Sequence, residues 1–160
     1  MGLEIRRLTF DSTEAAAFNE ALQGEYRVRY GGTDETPVAA DEFTPPHGVF
    51  LIAYLDGEPV GCGGFRTVAA GMGEIKRMYV EPAARGLGIA RQLLAALEAS
   101  AVAAGCDRVI LETGSVQPEA IGLYESSGYT PVPAFGTYRC EPGSRHLGKV
   151  LRTETAGVSQ

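Results

Sequence analysis

The stretch from Met78 to Leu94, M-Y-V-E-P-A-A-R-G-L-G-I-A-R-Q-L-L, constrains this chain more than any other. An apolar strand runs into Pro82, then a basic, glycine-rich turn, then an Ala/Leu-rich helix. That order builds an anion site. The first turn of a helix carries backbone N–H groups with no partner inside the helix and the positive end of its dipole. Gly86 and Gly88 lack a Cβ, so a phosphate can approach those groups closely. Arg85 adds a fixed charge with a donor fork suited to phosphate oxygens. The spacing excludes two common nucleotide loops. Arg91 stands where a dinucleotide fingerprint needs its third Gly or Ala, and the Gly-Lys-Ser/Thr of a P-loop is absent. On these residues alone, a tight strand-to-helix connection without a ligand remains open.

The flanking segments supply a sheet. Leu3 to Phe10 reads as a first strand, and Asp11 or Ser12 can cap the helix that follows; Asp11 with Glu14 has capping-box spacing. That helix is expected to reach about Gln23, with Phe18 and Leu22 on its buried face. In Glu25 to Pro46, Tyr26, Val28 and Tyr30 alternate with Arg27 and Arg29, before Gly31 and Gly32 break the pattern and a long connection begins. Val49 to Leu55 and Pro59 to Val68 form a hairpin across Asp56-Gly57. Gly61, Gly63 and Gly64 mark a bulge or a close approach of another backbone. Glu74 to Val80 is the strand that feeds the anion site, and a helix from Gly86 to about Ala104 follows, stopped by Gly105. Val109 to Glu112 then pairs in parallel with Glu74 to Val80 through a right-handed crossover. Pro118 opens a third helix ending near Gly128; Tyr129 to Val132, Thr137 to Cys140 and Arg145 to Leu151 read as the last strand pieces.

Composition narrows the class of partner. The chain has 160 residues, 44% hydrophobic and 21% charged, as expected of one globular domain; residues 1–152 are assigned to it and 153–160 to a fraying tail. A net charge of −6 disfavours nucleic acid and weakly favours a cationic small substrate. No stretch approaches the ~20 apolar residues that span a bilayer, and the start lacks a signal peptide's apolar run. No membrane partner and a cytoplasmic location are expected. Cys62, Cys106 and Cys140 are odd in number and, with His47 and His146, show no metal-ligand spacing. No metal is assigned, and both histidines read as surface or structural.

Arg85, two residues, Gly88, one residue, Ala90 resembles the Arg/Gln-x-x-Gly-x-Gly/Ala signature of the GNAT family of acyl-CoA-dependent N-acetyltransferases. Val80 and Pro82 precede it as that family's V-x-P does, and Gln117 to Tyr129 is similar to its second segment. The resemblance covers roughly Val49 to Leu151. It implies an α+β fold of the broad α/β kind: a mixed, mostly antiparallel sheet of about six to seven strands with a central splayed parallel pair, flanked by about four helices. It implies acetyl-CoA as co-substrate, and homodimers are common among its members.

The resemblance also implies roles. The coenzyme's pyrophosphate would lie on main-chain N–H groups of Arg85, Gly86, Leu87, Gly88, Ile89, Ala90 and Arg91, and its pantetheine arm along Met78, Tyr79 and Val80. Gln117 stands where many relatives have Asn near the coenzyme. Tyr124 matches the tyrosine that protonates the departing thiolate, and Glu74, six residues before Val80, matches a general base in some members. Tyr26, Arg29 and Tyr30 fall in the segment that tends to cover the acceptor, where a packing role is the alternative. The expected reaction is acetyl transfer to a primary amine of a small molecule, by direct attack with no covalent enzyme intermediate. A protein N-terminus or lysine is the alternative acceptor, and a coenzyme-binding sensor without turnover is the alternative class.

Overall fold

The computed structural model describes residues 2–32, 34, 37–114 and 118–151. The expected tail at 153–160 and Gln117 lie outside the described residues. In chain order the elements are β1 (Leu3–Leu8), α1 (Thr13–Tyr30), β2 (Gly48–Leu55), β3 (Glu58–Ala69), β4 (Met72–Val80), α2 (Ile89–Ala103), β5 (Arg108–Gly114), α3 (Pro118–Ser126), β6 (Thr130–Pro131) and β7 (Ser144–Val150). They form a seven-stranded sheet in the order β1-β2-β3-β4-β5-β7-β6. Every neighbouring pair is antiparallel except β4–β5, which is parallel as expected.

Two apolar clusters sandwich the sheet. β2 is buried on both faces, which is why its sequence is a continuous apolar run rather than an alternating one. Val49, Leu51 and Ala53 face α2, whose Leu93, Leu94 and Leu97 pack there with Phe65, Ile75 and Leu111. Phe50, Ile52 and Tyr54 face α1, where they meet Phe18 and Leu22. Three glycines in β3 permit this closeness: a Cβ at Gly61 would lie 2.7 Å from the Tyr79 carbonyl oxygen, and one at Gly64 2.7 Å from the Phe50 ring.

Several boundaries differ from the sequence reading for physical reasons. Ser12, not Asp11, caps α1: its Oγ accepts from the Ala15 N–H at 3.2 Å. α1 runs on through Tyr26, Arg29 and Tyr30 until Gly31, at φ 78°, closes it with an N–H to the Arg27 carbonyl. Arg27 and Arg29 suit the negative end of that helix. Among the described residues three α-helices form rather than about four, because the proline-rich connection yields only a 3₁₀ turn, Ala40–Phe43, before β2. α2 begins at Ile89 with Gly88 as its N-cap, after a 3₁₀ turn at Pro82–Ala84. Thr137 to Cys140 is a turn, not a strand, and β6 shrinks to two residues because the backbone from Pro133 onward leaves the sheet.

The feature that opens the sheet sits in β4. Register with β3 jumps from Gly64↔Lys76 to Cys62↔Tyr79, so Arg77 and Met78 together stand opposite Gly63. Arg77 takes φ 62°, unusual for a residue with a side chain. This β-bulge inverts the facing of everything after it. Ile75 faces α2, and a strict period of two would send Arg77 and Tyr79 there as well. Instead Met78 and Val80 pack on the α2 side and Tyr79 on the α1 side. Pairing with β5 ends at Ile75↔Leu111, whereas β4 continues to Val80. Beyond that point the two parallel strands diverge, as the resemblance implied.

Candidate active site

The divergence opens a cleft of about 300 Å³. Its floor is Met78, Tyr79 and Val80 of β4; one wall is the loop and first turn of α2, from Arg85 to Arg91; the other is Ala120, Leu123 and Tyr124 of α3. Leu22 and Glu25 of α1 close one end, and neither was evident from the sequence. Gly86 and Gly88 take φ 85° and 82°, the left-handed region that favours glycine. Gly88 has no side chain with which to cap the helix, and the first intrahelical bond is from the Gln92 N–H to the Gly88 carbonyl at 3.1 Å. The N–H groups of Ile89, Ala90 and Arg91 therefore precede the helical ladder at the edge of the cleft.

The two arginines of this wall are tethered. Arg85 Nε donates to the Val80 carbonyl at 2.7 Å, its guanidinium pairs with Glu25, and it lies 5.5 Å from the centre of the Tyr79 ring. Arg91 reaches the hydroxyls of Ser126 and Ser127 at 2.9 and 3.1 Å, which ties α2 to the end of α3. Leu87 is 46% exposed and does not line the cleft. Of the residues expected to cover the acceptor, Tyr26 packs against the α1-side cluster, Arg29 is exposed, and neither lines the cleft; Tyr30 is the last residue of α1.

Tyr124 is buried and lines the cleft, with its ring edge-on to Tyr129 at 5.8 Å. Burial pushes its pKa up to about 12, so the phenol stays protonated at neutral pH. Across the sheet, the α1-side face turns charged as it passes from β3 to β7. Glu74 is 5% exposed, and its Oε1 is held at 3.1 Å by Arg66, which also pairs with Glu42 at 2.9 Å. Lys76 and Arg77 approach Asp34 Oδ2 at 3.4 and 3.8 Å. Glu112, the first β5 residue beyond the parallel ladder, meets His146 of β7 at 2.8 Å. Burial raises the Glu112 pKa, opposed by the hydrogen bond from His146 and the charge of Lys76.

Of the two readings of His146, surface or structural, the structure favours the second: it is buried, hydrogen-bonded to Glu112 at 2.8 Å and covered by the Phe135 ring at 4.9 Å. A single sequence could not pair it with Glu112, since the two are 34 positions apart. Alternation alone placed Glu112 and Lys76 opposite the apolar Leu111 and Ile75, which was the available hint. Burial also raises the Cys62 thiol, which leaves it an inert packing group. Among the described residues, no group of three or more His, Cys, Asp or Glu is placed to hold a metal ion.

A family model described as acetyltransferase (GNAT) matches residues 15–129. The chain belongs to the GNAT family of acetyltransferases. It is an acyl-CoA-dependent N-acetyltransferase. It is 43% identical over 103 residues to the IAA acetyltransferase of Azospirillum brasilense, covering 64% of this chain and 67% of that protein. A Klebsiella pneumoniae protein named as an acyl-CoA N-acyltransferase superposes with a TM-score of 0.81 at 33% identity, over 94% of this chain and 98% of the other. YncA of Salmonella typhimurium, solved with its cofactor acetyl-CoA, shares the fold with a TM-score of 0.70 at 21% identity, over 95% of each chain.

Proposed function

We propose that this acetyltransferase moves an acetyl group from acetyl-CoA to the primary amine of a small molecule, by direct attack and without a covalent enzyme intermediate. The observation that supports it most is one cleft in which the uncapped start of α2, the freed edge of β4 and the phenol of Tyr124 meet. A diphosphate suits the N–H groups from Gly86 to Arg91 by geometry and dipole. With Arg85 tied to Glu25, main-chain groups rather than a free guanidinium provide most of that grip. The edge of β4 at Met78 to Val80 has β3 on one side and the cleft on the other, which suits an extended amide-bearing arm. Gln117 is kept as a coenzyme contact by resemblance alone.

Each reacting group then has a task. The acceptor ammonium must lose a proton before its lone pair can attack the thioester carbon. Two carboxylates, neither of them lining the cleft, lie on the α1-side face of the sheet, which this reading takes as the acceptor side. Glu112 is assigned the proton, because it lies where the strands part and shares it with His146. Glu74 is the second candidate, with one oxygen already held by Arg66. As the carbonyl becomes tetrahedral, a main-chain N–H at the β4 bulge can face the developing oxyanion. Tyr124 donates a hydrogen bond to the leaving sulfur. Outright transfer from a phenol near 12 to a free thiolate of ordinary pKa climbs about 5 kcal/mol, so its proton moves only as the C–S bond breaks. The acceptor nitrogen gives up two protons in all: the first is taken by Glu112 and passes on to solvent, and the second, shed as the tetrahedral intermediate collapses, replaces the one Tyr124 gives to the sulfur, so coenzyme A leaves as the thiol and the phenol is restored.

The test is thiol release from acetyl-CoA with a panel of amino acids, polyamines and amine-bearing antibiotics, alongside calorimetry with coenzyme A. Turnover with at least one amine supports the reading. Coenzyme uptake with no thiol release for any amine would instead favour a sensor.

A further inference from the structure

The bulge in β4 does more than part the strands. Consecutive strand residues normally point to opposite faces. Here Lys76 and the extra residue Arg77 are turned to the same face, and both reach toward one oxygen, Asp34 Oδ2. Their side chains are 8% and 6% exposed, so two adjacent positive charges are held out of water together. At 3.4 and 3.8 Å, neither contact has the 2.7–2.9 Å length of a charge-assisted hydrogen bond. Among the described residues, Arg77 Nε is buried with no hydrogen-bond partner at all. Among the described residues, the other acids of this face are engaged elsewhere: Glu74 and Glu42 by Arg66, and Glu112 by His146.

An unmade hydrogen bond on a buried guanidinium is costly, and so is a left-handed backbone at a residue with a side chain. Both fall on the residue that precedes Met78, at the floor of the coenzyme cleft. Stability alone does not account for that coincidence; an incoming anion does. A carboxylate has oxygens enough to give Lys76 and Arg77 a short contact each. Just past the last parallel pair, Glu112 of β5 is near enough to feel the Lys76 charge and offers an acceptor for an ammonium.

We infer that the acceptor amine carries a carboxylate, that Lys76 and Arg77 bind that carboxylate, and that the amine end lies toward Glu112. The inference rests on the acetyl-transfer reading and deepens it by naming the acceptor's chemistry as amino-acid-like. Lys76 and Arg77 are then the specificity residues, and the αL backbone at Arg77 is what brings both to one point.

The experiment compares free amino acids with their carboxamides as acceptors for the wild-type protein, by thiol release from acetyl-CoA. The amide removes the anion and keeps the amine, which becomes less basic and so more available; that bias works against the expected result. For the best acceptor, kcat/KM for the acid should exceed that for its amide by about 10- to 100-fold, the range of a charge-assisted hydrogen bond. Arg77→Asn, which tolerates the left-handed backbone, and Lys76→Met should each bring the acid-to-amide ratio toward one. Amides accepted as well as acids by the wild type would overturn the inference with no variant needed. So would coenzyme A uptake accompanied by turnover only of amines that lack a carboxylate, whereas uptake with no thiol release for any amine would sink the acetyl-transfer reading itself. Failure to take up coenzyme A in calorimetry would sink that reading as well.

Discussion

At the scale of single residues, the proposed reaction divides its chemistry between two titrating groups on the two faces of the sheet. Tyr124 is a protonated donor by virtue of burial, and Glu112 is a carboxylate whose proton affinity burial raises. Tyr124→Phe keeps the ring and its contact with Tyr129 but removes the hydroxyl. It should lower kcat by about 10- to 100-fold, below the ~10²–10⁴ of a full general acid, because the phenol donates only late. Coenzyme A affinity by calorimetry should stay within about twofold if this group contacts only the sulfur. For the base, the sign follows from the direction of the shift. A raised pKa means that the carboxylate forms only at higher pH, so the acidic limb of kcat/KM should lie above the ordinary carboxylate value. Glu112→Gln should abolish that limb along with most of the rate. Glu74→Gln should leave the limb in place, and a limb lost with Glu74 rather than with Glu112 would exchange the two roles.

At the scale of elements, β3 and β4 act as one unit. The glycines of β3 let β4 lie close, and the bulge opposite Gly63 flips the later residues of β4 to their observed faces. Gly61→Ala would set a Cβ 2.7 Å from the Tyr79 carbonyl, a backbone atom that cannot swing aside. It should destabilise the fold by about 1–3 kcal/mol, read as a lower denaturation midpoint at unchanged m-value. This element also shows the limit of reading a chain by period. The glycines of β3 announced a bulge or a close approach, and both occur there. That the extra residue would fall in β4, on Arg77 with no turn propensity, was not legible. Similarly, α1 extends through Tyr26 to Tyr30 because nothing before Gly31 stops it, whereas a short alternation of tyrosine and arginine reads equally well as an extended segment.

At the scale of the molecule, the parallel pair is short, with four matched positions from Met72↔Arg108 to Ile75↔Leu111. Beyond it the sheet is divided, and a bound ligand would bridge the two parts. Coenzyme A at about 100 times its Kd should therefore stabilise the fold by about 2.7 kcal/mol, read as a rise in Tm, while NAD at the same concentration should not. Equal effects of the two ligands would show that the cleft does not discriminate the coenzyme.

The chain by itself determined the order of the main strands and helices, the glycine-rich turn at Arg85 to Arg91 and the place of Tyr124. Those features depend on local chemistry: runs of apolar residues, glycines at positive φ, and a helix start with no cap. Only the tertiary structure decided which charges would meet. Lys76 with Arg77 and Asp34, and Glu112 with His146, come together because a bulge turns one strand and a sheet registers another, and sequence separation holds no record of either. The glycine turn before α2 was written locally, and the meeting of charges on the α1-side face was written in the register.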